Sequence, residues 1–150
     1  MNNLQELFNT INFKINDYNT LLDCAKDLLD YNGNDWQKYI TNSNNYQKTL
    51  ICKSDKIELY VITWMPNSAS RIHDHPDKGC LVKILQGELT ETEFINNDTL
   101  IYYKNTNILK KDDIGFKIKN EILHKINNNT DKIAISLHIY SLPNFKISYY

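Results

Sequence analysis

From Tyr46 onward this chain carries no helical period. Short runs rich in Ile, Val, Tyr and Thr alternate with clusters of turn-forming residues, the pattern of successive β-strands. The spacing predicts strands at 47–52, 57–64, 80–86, 89–94, 99–104, 114–118, 124–127 and 133–140. Turns are expected at 53–56, 66–70, 86–88, 95–98 and 110–113. Eight short strands at this spacing require an all-β sandwich or barrel, closed so that its edges are hidden.

The first forty or so residues differ. Leu21, Leu22, Ala25, Leu28 and Leu29 fall on one helical face, with Asp17 as the expected N-cap and Asn32-Gly33 as the stop. A shorter helix is expected around Trp36, Tyr39 and Ile40, and 41–45 is polar and turn-like. With 150 residues, the chain has room for one domain with a substantial core and not for two. The expected organisation is a single domain, 1–150, with a helical cap (1–45) and a β-barrel (46–145). No repeat or linker interrupts it.

Composition narrows the function. The formal net charge is −1 and the lysines are dispersed, so nothing draws the chain to nucleic acid. No apolar run approaches a membrane span, and the N-terminus lacks the apolar core of a signal peptide; a cytoplasmic monomer is expected. Cys24, Cys52 and Cys80 are odd in number, widely spaced and without a CxxC, which argues against a disulfide framework. Asn128-Asn129-Thr130 belongs to a polar turn, although the stretch from Asn127 contains a formal glycosylation sequon.

The chain has four histidines: His73, His75, His124 and His138. In a strand, residues two apart share a face, so His73 and His75 can reach one ion while Asp74 points away. His124, at the head of a distant predicted strand, would complete a three-histidine site inside a barrel. Three neutral imidazoles leave a bound cation its full charge and leave positions open for a substrate that brings its own anion. By the same alternation, Ser136, His138 and Tyr140 share one strand face. Alone, the ligand set would also accept Zn, Ni, Mn or Cu.

The stretch from His73 to Cys80, followed by Leu85-Gln86-Gly87, resembles the first motif of the cupins, and His124 with Asn128 resembles the second. Cys80 stands in the slot where most cupins carry glutamate, with Gly87 at the motif spacing behind it. In this respect, and in the segments 72–75, 80–87, 136–141 and 35–46, the chain resembles the cysteine dioxygenase family as far as about Pro143. The resemblance implies a cupin jelly roll and Fe(II) held by His73, His75 and His124. It implies a small thiol substrate oxidised by dioxygen to a sulfinic acid, and a thioether crosslink between Cys80 and Tyr140. It also implies that Ser136 and His138 hydrogen-bond towards the Tyr140 hydroxyl.

One position departs from the family. The arginine that meets the substrate carboxylate falls, in the register of Tyr46, at Lys48, which keeps the charge but loses the planar two-pronged fit. Arg71, the single arginine, is an alternative if strand alternation turns it inward; otherwise it faces solvent. L-Cysteine is the expected substrate. Alternatives are another small thiol acid such as 3-mercaptopropionate, a cupin isomerase or hydrolase with a different metal, or a non-catalytic metal-binding sensor.

Overall fold

In the computed structural model, which describes residues 1–150, eight strands follow a helical N-terminal region. They are β1 (Tyr46–Lys53), β2 (Glu58–Trp64), β3 (Gly79–Gln86), β4 (Glu88–Asn96), β5 (Ile101–Lys110), β6 (Ile114–Lys117), β7 (Ile122–Asn127) and β8 (Ala134–Ser141). They form a five-stranded sheet, β1-β2-β8-β3-β6, and a three-stranded sheet, β5-β4-β7. All strand pairs are antiparallel. This is an all-β jelly-roll sandwich behind a helical cap, as the strand spacing predicts.

The central strands β2, β8 and β3 of the five-stranded sheet are buried on both faces, and strand alternation divides their side chains between two cores. Leu59 and Val61, Leu81 and Leu85, and Ile135, Leu137 and Ile139 pack against the N-terminal helices. Ile62 and Trp64, Cys80, Val82 and Ile84, and Tyr140 face the sandwich interior with Leu89 and Ile126 of the second sheet. Every residue of β8 is buried. The β3–β4 turn needs Gly87, whose φ is +76° and where a Cβ would sit 3.0 Å from the Ala134 Cα.

The helical cap differs from the expected single helix. An earlier helix, α1 (Leu4–Lys14), is capped by the Asn3 side chain. Asp17 ends a 3-10 turn and caps nothing; Thr20 accepts from the Leu22 amide, and a second 3-10 turn, Leu21–Cys24, leads into the short α2 (Ala25–Asp30). The tighter 3-10 winding rotates the apolar face, so Leu21 and Leu28 are buried while Leu22 and Leu29 are about half exposed. The stop at Asn32-Gly33 is also absent, because Tyr31 leaves the helix in extended conformation. The expected short helix is a 3-10 segment, Asp35–Tyr39. β5 runs six residues past its expected end, and β7 begins two residues before His124.

Two lysines attach this cap to the barrel. Lys83 projects from β3 to the cap side and donates to the carbonyls of Leu28, Leu29 and Tyr31 at 3.1, 3.2 and 2.6 Å. These are the groups left unpaired at the end of α2, where a cation is also favoured by the helix dipole. Lys78 does the same for the Ile15 and Tyr18 carbonyls. Lys83→Met should therefore destabilise the fold by about 2–3 kcal/mol by stranding carbonyls beneath the cap, read as a lower urea midpoint with unchanged metal content.

Candidate metal centre

The three predicted ligands converge. His124 lies on β7, whereas His73 and His75 do not share a strand as expected. They sit in the extended connection between β2 and β3, held by isolated bridges from His73 to His124 and to Tyr149. Alternation still separates Asp74 from its neighbours: its carboxylate turns away and accepts the Ser148 amide at 2.8 Å. The Nε2 atom of His124 is 2.9 Å from that of His75 and 3.1 Å from that of His73.

This geometry makes a test of whether a cation belongs there. His73 Nδ1 is 2.8 Å from the Arg71 carbonyl, and His124 Nδ1 is 2.8 Å from a Glu91 carboxylate oxygen. Both outer nitrogens face acceptors, so both carry the hydrogen, and the two Nε2 lone pairs point at one another. Burial holds all three imidazoles below the ordinary histidine pKa, so protonation does not relieve the opposition. His75 Nδ1 is buried without a partner. One shared cation satisfies the three converging Nε2 atoms, though not His75 Nδ1, and the set fits a mononuclear metal ion. Cys80 is outside the set. Burial pushes its thiol up to about 12, so it is a thiol, not a thiolate ligand, at neutral pH.

A cavity opens onto this centre, lined among others by Tyr46, Lys48, Trp64, Cys80, His138, Tyr140 and Tyr149. Cys80 and Tyr140 are direct cross-strand partners on β3 and β8. Burial, reinforced by the neighbouring Cys80, pushes the Tyr140 hydroxyl well above its ordinary pKa. Trp64 Nε1 donates to Ser136 Oγ at 2.9 Å, and Ser136 Oγ lies 3.2 Å from His138 Nδ1. An indole N–H only donates, so the arrangement that leaves no buried hydroxyl hydrogen unpaired has Ser136 donating to His138 Nδ1. That places the imidazole hydrogen on Nε2. Burial drops the His138 pKa to about 3, so the ring is neutral. It stacks on Tyr140 with centroids 5.9 Å apart, where a hydrogen bond towards the hydroxyl was expected.

Lys48 lines the cavity, with its ammonium 4.6 Å from the ring centroids of both Tyr60 and Tyr140. Tyr46 stacks on Trp64 at 4.7 Å. Arg71 is exposed, outside the lining, with its guanidinium 4.6 Å above the Tyr149 ring. The inward turn required a strand through Arg71, and the connection there is irregular. The residues after Pro143 return to the site: Ile147 and Tyr149 line the cavity, and the Tyr150 amide bonds the Ile72 carbonyl.

Sequence reasoning missed the support behind His124. Glu91 and Glu93 are both buried. Lys117 bridges them at 3.2 and 3.0 Å, and Asn107 donates to both. The signal was available: Leu89, Glu91 and Glu93 are two apart, so they share a face with an inward leucine. A carboxylate on the outer nitrogen orients a metal-binding imidazole and raises its basicity. Glu91→Gln should weaken metal binding by about 10–100-fold in a competition titration with Co(II) or Fe(II), and His124→Ala should abolish it. Unchanged affinity in both variants would remove the metal centre.

Comparison with known proteins accords with this arrangement. The sequence pattern that defines cysteine dioxygenase type I matches residues 1–150. Cysteine dioxygenase type 1 of Danio rerio is 26% identical over 147 residues, covering 93% of this chain and 71% of the zebrafish protein. The Bos taurus protein of the same name is 31% identical over 115 residues, covering 73% of this chain; there the match spans only 58% of the relative's length. Solved structures share the fold at low identity. A double-stranded β-helix protein from Klebsiella pneumoniae superposes with a TM-score of 0.61 at 16% identity, covering 75% of this chain and 86% of that one. An oxalate oxidase superposes at 0.57 and 14%, covering 73% and 57%. By its sequence over the whole length, this chain belongs to the cysteine dioxygenase type I family.

Proposed function

We propose that the protein is an iron(II)-dependent thiol dioxygenase that converts a small thiol acid, L-cysteine first, to its sulfinic acid: R–SH + O2 → R–SO2H. The observation that carries this is a three-imidazole centre opening into a cavity whose lining holds one fixed cation, Lys48, and no carboxylate. Iron(II) bound by His73, His75 and His124 would supply open positions for a thiolate and dioxygen together with redox capacity. The chain's own residues then bind and orient. Lys48 meets the substrate carboxylate, which would otherwise be an unpaired charge in a partly dehydrated pocket. Tyr46 stacks beside it. His138, neutral and fixed by Ser136, holds an N–H donor for an oxygen of the reacting sulfur group. Tyr140 keeps a protonated phenol at the reacting end.

Lysine offers a point charge where the family places an arginine fork, and no acidic side chain in the lining receives a substrate ammonium. Both features favour 3-mercaptopropionate as the second reading. Three free cysteines suit a reducing cytoplasmic compartment, and a monomer is proposed. No helix is long and apolar enough to cross a membrane.

Oxygen uptake with cysteine, 3-mercaptopropionate and cysteamine tests the reading, with both atoms of labelled dioxygen expected in the sulfinate. Lys48→Ala should raise KM for the two acids by about 30-fold or more, the scale of a lost buried charge partner, and leave cysteamine nearly unchanged. His138→Ala should keep its iron and lose turnover. No uptake by iron-loaded protein with any of the three thiols would leave a binding module.

The facing of Cys80 and Tyr140 supports the thioether. Its sulfur–carbon bond replaces the S–H and one ring C–H, with dioxygen taking the two hydrogens. After turnover the intact mass should fall by two hydrogens, a loss that Cys80→Ser prevents while retaining lower activity. A fully alkylatable Cys80 after turnover would exclude the bond.

A further inference from the structure

The Lys48 ammonium is held without any acid or carbonyl of its own. Its contacts are two ring faces, Tyr60 and Tyr140, each 4.6 Å away. These rings meet edge to face, 5.6 Å between centroids and 86° between planes. Tyr60 is on β2, two residues from Ile62, the direct partner of Lys48 on β1, so lysine and tyrosine are diagonal neighbours on one face of the sheet. The Tyr60 hydroxyl donates to Glu58 Oε2 at 2.6 Å. Glu58 is buried, and its other oxygen accepts the Asn144 amide with Lys53 3.8 Å away.

We infer that Tyr60, clamped by Glu58, is a positioning residue that seats the Lys48 ammonium against Tyr140 and so fixes where the pocket reads a substrate anion. The inference rests on the reading of Lys48 as the carboxylate contact. A lysine stem has four rotatable bonds, and an unseated ammonium loses entropy on meeting an anion. Two aromatic faces attract the cation while leaving all three N–H donors free. A carboxylate partner in the same place would neutralise the receptor; aromatic seating preserves its charge for the ligand. Glu58 acts at one remove. It holds the phenol, and its charge favours the protonated lysine against burial, which alone lowers the Lys48 pKa. Tyr60 itself stays a phenol, its pKa pushed up to about 12 by burial and by Glu58.

The test compares iron-loaded Tyr60→Leu, Tyr60→Phe and Lys48→Ala with the parent protein, using cysteine, 3-mercaptopropionate and cysteamine. Tyr60→Leu should raise KM for both acids by about 3–30-fold, with kcat and the cysteamine KM nearly unchanged. Tyr60→Phe keeps the ring and should restore most of the affinity. The Lys48 side-chain methylene protons next to the ammonium should resonate upfield under two ring currents, and lose much of that shift in Tyr60→Leu but not in Tyr60→Phe. This reports the seating without turnover. If Lys48→Ala discriminates acids from cysteamine and Tyr60→Leu does not, the positioning role is overturned and the carboxylate contact stands. If Lys48→Ala fails to discriminate, the underlying reading falls with it.

Discussion

The double-sided burial of β2, β3 and β8 is the constraint on which the rest depends. On these strands, alternate residues serve different purposes: Leu59, Val61, Leu81, Leu137 and Ile139 bind the helical cap, while Cys80, Ser136, His138 and Tyr140 face the centre. A slip of one residue in register would exchange the two sets, exposing the thiol and phenol to the cap and packing leucine against the ligands. The apolar half of each strand therefore secures the register of the polar half. Lys83 belongs to the cap-facing set and takes up the carbonyls of α2, so even the charged residue on that face fastens the layer that keeps the register.

Much of this was legible because strands encode their faces at a period of two. The eight strands and the common face of Ser136, His138 and Tyr140 follow from it, whereas His73 and His75 meet His124 from an extended connection held by isolated bridges rather than from a strand. The helical cap was less legible, because Leu21 to Leu29 fits a helical face whether the segment winds as α or begins as 3-10, and only the position of the barrel decides. Nothing in the sequence singles out Lys83 or Lys117, because the carbonyls and carboxylates they meet are 52 to 55 and 24 to 26 residues distant. Arg71 followed the strand rule into a connection that is not a strand. Tyr149 carried no motif at all; its place beside His73 is set by a bridge between distant backbone segments.

Electrostatically the cavity is spare. Its imidazoles are kept neutral by burial, its phenol and thiol are kept protonated by burial, and the cation in its lining is Lys48. The negative charge nearest the metal ligands lies behind His124, in the Glu91–Glu93 pair, where Lys117 offsets half of it. Such a site draws its counter-charge from the ligand. An anion arriving at Lys48 and the metal centre replaces solvent at two points at once, which favours a short molecule with anionic groups at both ends over a neutral one of the same size.

The exchange of a family arginine for Lys48 fits this picture when its surroundings are included. A guanidinium reads a carboxylate through two parallel hydrogen bonds and is rigid by itself. An ammonium has neither property, yet Tyr60 and Tyr140 restrict its position from two sides and Glu58 restricts Tyr60. Rigidity lost in the side chain is thus supplied by its neighbours. What the neighbours do not supply is the second hydrogen-bonding direction. If Lys48 receives the substrate anion as proposed, the receptor is a point rather than a plane, and it would constrain the distance from the three-histidine centre to the anion more tightly than the twist of a carboxylate. Under that proposal, acids of matching length would be admitted whether or not they carry an amine, whereas a planar fork would also select the angle at which the carboxylate is presented.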